Sequence, residues 1–122
     1  MYPVRKEGRF TILELNGEVD LYYSPKAREQ ILECLNDRLN LLVDLSRVEY
    51  IDSSGVASLV EGYQLAKDAS LEFGLVGVSP AAMQVLQLAK LDQVFPIYDS
   101  VADALAGRKH GPQENNGAQG GG

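Results

Sequence analysis

A chain of 122 residues, 45% of them hydrophobic, can build one domain with its own core and is too apolar to be disordered in its main body. Its net charge of −6 argues against nucleic acid as the main partner, since phosphate binding needs clustered Lys and Arg, and leaves a basic protein partner open. No apolar run reaches the roughly 18–20 residues that span a bilayer, and the N-terminal MYPVRKEGRF lacks an apolar h-region, so neither membrane insertion nor a secretory signal is expected and the chain reads as cytoplasmic.

Residues 9–15 (RFTILEL) alternate as a strand does, and residues 2–6 are placed to pair beside them across Glu7-Gly8. Asn16-Gly17 is a turn signal. Glu18-Val19-Asp20 then extends outward into a loop carrying Asp20, Tyr22 and Tyr23. Ser24-Pro25 predicts a helix start, with Ser as N-cap and Pro at the first helical position. Ala27, Ile31, Leu35 and Leu39 recur on one face of that helix, which should stop near Asn40.

Residues 41–45 (LLVDL) form a nearly continuous apolar run, as a central strand buried on both faces requires. Val48 and Ile51 are expected to plug the core beneath a loop. A second helix opens at Ser53/Ser54, with Val56, Leu59, Val60, Tyr63 and Ala66 toward the sheet. Residues 71–78 (LEFGLVGV) read as another strand, and Ser79-Pro80 as another helix start, followed by Ala82, Val85, Leu86 and Ala89. Phe95-Pro96-Ile97 fits an edge strand, because Pro cannot donate to a central ladder. Asp99 is expected to cap a last short helix through Val101, Ala102 and Leu105.

Residues 1–106 thus make one α/β domain in the order ββαβαβαβα, with about four helices on a small mixed sheet, mostly parallel after an antiparallel start. Residues 107–122 have no apolar periodicity and read as a disordered, polar, Gly-rich tail.

Few chemistries fit. Cys34 is the one cysteine, and cannot form an internal disulfide or a Cys-based metal site. His110 is the one histidine and falls in the tail, so a Ser-His-Asp triad lacks its base. No P-loop is present, and Gly74 and Gly77 lie inside a strand rather than after one. Asp44, Glu49 and Asp52 are close in sequence, but nothing supplies a substrate pocket. A phospho-accepting receiver domain would need a Lys directly after the last strand, and none directly follows residues 95–97. No catalytic residue, metal or cofactor is expected.

Asp52-Ser53-Ser54-Gly55 stands out. As a plain N-cap cluster it would only start a helix. But Gly55 sits in the first turn, where Ala would be better by about 0.8–1 kcal/mol, so something should approach the backbone closely there. One serine can cap while the other hydroxyl faces out, beside helix N–H groups that welcome a phosphate.

Between Phe10 and Leu105 the chain resembles the STAS domain family of bacterial anti-sigma factor antagonists and sulphate-transporter cytoplasmic domains. The residues that carry the resemblance are Gly17-Glu18-Val19-Asp20, Leu42-Val43-Asp44-Leu45-Ser46, Val48, Ile51-Asp52-Ser53-Ser54-Gly55-Val56 and LAKLDQVFPI at 88–97. The resemblance implies a non-enzymatic antagonist that acts by partner switching. Unphosphorylated, it binds an anti-sigma factor that is also a serine protein kinase; phosphorylation of Ser54 releases it, and a PP2C-type phosphatase reverses the mark. Ser53 is a second candidate acceptor. Asp20 would contact the partner, with Asp52, Ser53, Gly55 and Val56 beside it; Tyr22 and Tyr23, a departure from the family pattern, enrich this loop in aromatics and mark either an interface or a packed loop. The alternative within the same fold is a subunit of an ABC-type lipid transporter or a signalling scaffold.

Overall fold

The apolar runs at 12–15 and 41–45 and the strand Phe73–Val76 become the middle of one sheet, each burying both faces. The computed structural model describes residues 1–111. Its elements are β1 (Val4–Glu7), β2 (Phe10–Val19), α1 (Ser24–Asn36), β3 (Asn40–Ile51), α2 (Ser53–Asp68), β4 (Phe73–Val76), α3 (Pro80–Leu88), β5 (Ile97–Tyr98) and α4 (Val101–Ala106). The sheet order is β1-β2-β3-β4-β5, with β1 antiparallel to β2 and every later pair parallel. This is the expected ββαβαβαβα arrangement.

Sheet order follows chain order, and parallel crossovers are right-handed, so α1, α2 and α3 fall on one face. There Leu13, Val43 and Leu75 of the sheet meet Ile31, Leu59 and Leu86 of the helices. Among the described residues the opposite face is covered only at one end, where Phe10, Ile12, Leu42 and Val76 pack under Ala104 of α4. Further along the same strands that face turns polar, with Glu14 beside Asp44 in register and Arg5 paired to Glu14 and Glu7.

Several boundaries differ from the expected ones, each for a local reason. Asn16-Gly17 is no turn: β2 runs through it, and Gly17 takes a positive φ of 67° where the register slips. The slips lie between Glu14 and Asn16 and between Gly17 and Glu18, and both leave an extra residue on β3. Val48 and Ile51 are buried, but as part of that long strand rather than a loop. Beyond Asp44, the last residue that pairs with β4, β2 and β3 therefore continue as a two-stranded ribbon to Val19 and Ile51.

α1 stops at Asn36, short of Asn40. Arg38 takes a positive φ of 59°, and the Leu39 N–H returns to the Cys34 carbonyl at 3.0 Å. Asn40 is needed elsewhere, its amide bridging the Arg9 carbonyl and the Glu72 N–H. β4 is shorter than the run 71–78, and α3 ends before Ala89, which is exposed. Ser100, not Asp99, caps α4 by accepting from the Asp103 N–H, because the Asp99 carboxylate faces His110 Nδ1 at 2.6 Å. Ala104, rather than Val101 or Leu105, is the residue α4 buries.

Within the expected tail, Arg108 pairs with Asp103 and the His110 N–H donates to the Ile97 carbonyl. The rest of it, 112–122, lies outside the described residues. Among those residues no helix is long and apolar enough to cross a membrane.

Candidate functional site

The β2–β3 ribbon delivers two chain segments to one corner: the loop at 20–23 after Val19, and Asp52 after Ile51. Asp52 joins them. Its N–H donates to the Val19 carbonyl at 3.4 Å, and its Oδ2 accepts from the Leu21 N–H at 3.1 Å. Asp20 lies in the same corner through this bond, although 32 positions separate the two aspartates in the chain.

Asp52 is also the N-cap of α2, so neither serine performs that task. Its Oδ1 accepts from the N–H groups of Ser54 and Gly55, at 2.9 and 3.2 Å, and from the Ser54 hydroxyl at 2.6 Å. The Ser54 hydroxyl above all holds the Asp52 carboxyl below its ordinary value of 3.8; burial opposes it, and the N–H groups of Gly55, Ser54 and Leu21 each add a smaller lowering effect. Two of the N–H groups expected to welcome a phosphate are therefore already taken by a carboxylate. Ser53 is exposed, and its hydroxyl makes no hydrogen bond among the described residues; Ser54 is half-buried and receives a hydrogen bond from Ser24 Oγ at 3.1 Å.

Ser24 was expected to cap α1. It is instead the first helical residue, with Tyr23 at the cap position and no side-chain cap bond. Asp20 serves that helix start: its carbonyl accepts from the Ser24 N–H at 2.7 Å, and its Oδ1 from the Tyr22 and Tyr23 N–H groups. This Asx turn holds the loop upright, with Leu21 and Tyr22 largely in solvent, at 75% and 79% exposure, and the Tyr22 and Tyr23 rings edge-to-face at 4.9 Å.

What approaches Gly55 is the protein's own backbone. A Cβ there would lie 2.6 Å from the Val19 carbonyl oxygen and 2.7 Å from Ile51 Cγ1. Gly55 is buried, and its role is to let α2 start against the ends of β2 and β3. Val56 is buried as well, but it borders a shallow apolar groove between α2 and α3 that is completed by Val60, Val85, Leu88 and Ala89, with Ser53 on its rim. Leu88 stands 79% exposed there. Sequence periodicity could not have found this groove, since it lies between two helices whose relative placement only the sheet sets.

Away from this corner, Cys34 is buried in the core, where burial pushes its thiol up. Asp44, Glu49 and Asp52 are not brought together, and no group of three or more His, Cys, Asp or Glu among the described residues could hold a metal ion.

This architecture matches proteins already described. An "Anti-sigma-F factor antagonist RsfB" of Mycobacterium tuberculosis is 31% identical over 101 residues, 82% of each chain. An "Anti-sigma F factor antagonist" of Paenibacillus polymyxa is 29% identical over 96 residues, 77% of this chain and 82% of its own. The crystal structure of an anti-sigma factor antagonist from Mycobacterium paratuberculosis superposes with a TM-score of 0.77 at 28% identity, covering 88% of this chain and 92% of that one. Residues 2–104 match the STAS domain as a family, and to that family the chain belongs.

Proposed function

We propose that the chain is an anti-sigma factor antagonist that switches partners through phosphorylation of Ser54. The observation that carries this reading is the corner itself: an acceptor hydroxyl bonded to a carboxylate, between an exposed aromatic loop and an open apolar groove. The names of the relatives supply the class of partner. In the unphosphorylated form, the loop at 20–23 and the groove dock a protein that is both anti-sigma factor and serine kinase. Asp20 Oδ2, which makes no hydrogen bond among the described residues, is placed for a basic group of that protein.

The kinase transfers phosphate to Ser54, and a PP2C-type phosphatase removes it. Phosphate adds about −1.5 to −2 charge at pH 7. Because Asp52 already occupies the Ser54 and Gly55 N–H groups, the new charge is not absorbed by the helix end. It stands against a carboxylate and projects toward the interface, where burying it is costly. The block is electrostatic and steric, with no need to melt α2. Gly55, being buried, enters this scheme only through the position it gives Ser54.

Phosphosite mapping of the protein purified from its own host, with Ser54→Ala alongside, tests the reading. Phosphate should appear on Ser54 and vanish in the variant, and Ser54→Asp should bind the anti-sigma partner at least tenfold more weakly than the wild type. Absence of phosphate under every growth condition, with Ser54→Asp binding normally, would return the chain to the transporter-subunit or scaffold alternative.

A further inference from the structure

Ser24 is 5% exposed, and its hydroxyl serves no local purpose. The start of α1 is held by Asp20, whose carbonyl accepts from the Ser24 N–H. The one hydrogen bond its hydroxyl makes among the described residues crosses 30 positions of sequence to Ser54 Oγ. The direction of that bond is settled by its neighbour. The Ser54 proton is already directed to Asp52 Oδ1 at 2.6 Å, so Ser24 is the donor and Ser54 Oγ the acceptor.

We infer that Ser24 is a positioning residue for the phosphoacceptor, fixing the Ser54 hydroxyl before phosphorylation and donating to the phosphoserine afterwards; the inference rests on Ser54 being the acceptor. A serine oxygen carries one proton and two lone pairs. With the proton held by Asp52 and one lone pair by Ser24, the Ser54 rotamer is set and a single lone pair is left to attack. That lone pair forms the bond to the γ-phosphorus of a nucleoside triphosphate brought by the kinase. The bond from that phosphorus to the β–γ bridging oxygen breaks, the electron pair leaves on the nucleoside diphosphate, and the Ser54 proton goes to a general base of the kinase. Once phosphorylated, Ser54 Oγ has no proton for Asp52, and the two groups repel. Ser24, a donor that needs only to rotate, still has a partner in the phosphoester.

Two measurements separate this inference from the function it builds on. The first needs no kinase: phosphoserine is encoded at Ser54 and its second ionisation, ordinarily near pH 6, is followed by ³¹P NMR. Losing a donor disfavours the dianion, so Ser24→Ala should raise that pKa by about half a pH unit and Ser24→Thr should restore it. An unchanged titration overturns the inference; a merely structural role for Ser24 would lower the melting temperature and leave the titration alone. The second is the rate of Ser54 phosphorylation by kinase from the host. Ser24→Ala should lower kcat by about three- to tenfold with KM unchanged, and an equal kcat overturns the inference. If the wild type is not phosphorylated at all, the switching function falls while the ³¹P titration still decides what Ser24 does.

Discussion

Asp52 caps a helix, tethers the loop at 20–23 and accepts a hydrogen bond from the Ser54 hydroxyl. Replacing it with Ala should cost about 1 kcal/mol of stability, the usual loss of an N-cap, measured by urea unfolding at pH 7. Asn caps as well as Asp, so Asp52→Asn should retain most of the helix start while losing the charge. Its use is in acid. The folded carboxyl sits below its ordinary 3.8, so its stabilising effect is fully present above that pH and is lost as pH falls through the lower folded value. The stability gap between the wild type and Asp52→Asn should therefore hold from pH 6 to about pH 4 and narrow as unfolding curves are taken below 3.8. A gap that stays constant there as well would mean the carboxylate's charge contributes nothing.

At the scale of elements, α2 can start only where the ends of β2 and β3 leave room. Gly55→Ala places a methyl group 2.6 Å from a backbone carbonyl, which no rotamer change relieves. We expect a loss of about 1–3 kcal/mol, read as a lower denaturant midpoint, together with displacement of Ser54 from Ser24 and Asp52. The strand and helix order was legible in the sequence because alternation, helical spacing and Ser-Pro starts agree with the final topology. The reason for Gly55 was not, since the atom it avoids belongs to Val19, far back in the chain. The same holds for Ser24: locally it looks like an N-cap, and only the fold shows its hydroxyl directed at Ser54. Asn16-Gly17 misled for the converse reason. A dipeptide that suits a turn also suits a positive φ inside an irregular strand.

Across the whole molecule, three helices on one face and one on the other leave the proposed partner surface at one end, where the ribbon, the loop and the α2–α3 groove meet. Leu88 lies on that surface yet outside the core. Leu88→Asp should leave the melting transition within about 0.5 kcal/mol of the wild type and weaken binding of the anti-sigma partner tenfold or more, measured by calorimetry. Normal binding would remove the groove from the interface. The DSSG motif marked the corner in the sequence, but the groove's far wall comes from α3, which reaches α2 by packing on β3.

The ribbon that carries this corner has a further consequence. It projects past β4, and the Ser53 and Ser54 side chains at its tip lie outside the buried core that Val19, Ile51 and Val56 close beneath them. On the proposed reading the domain stores its signal as a covalent mark on a nearly unchanged body, not as a second shape. A shape relaxes within microseconds to seconds, whereas a phosphoester waits for an enzyme. The molecule then works as a memory whose retention time is set by the kinase and phosphatase that visit it, and evolution can lengthen or shorten that memory without altering a residue of the fold.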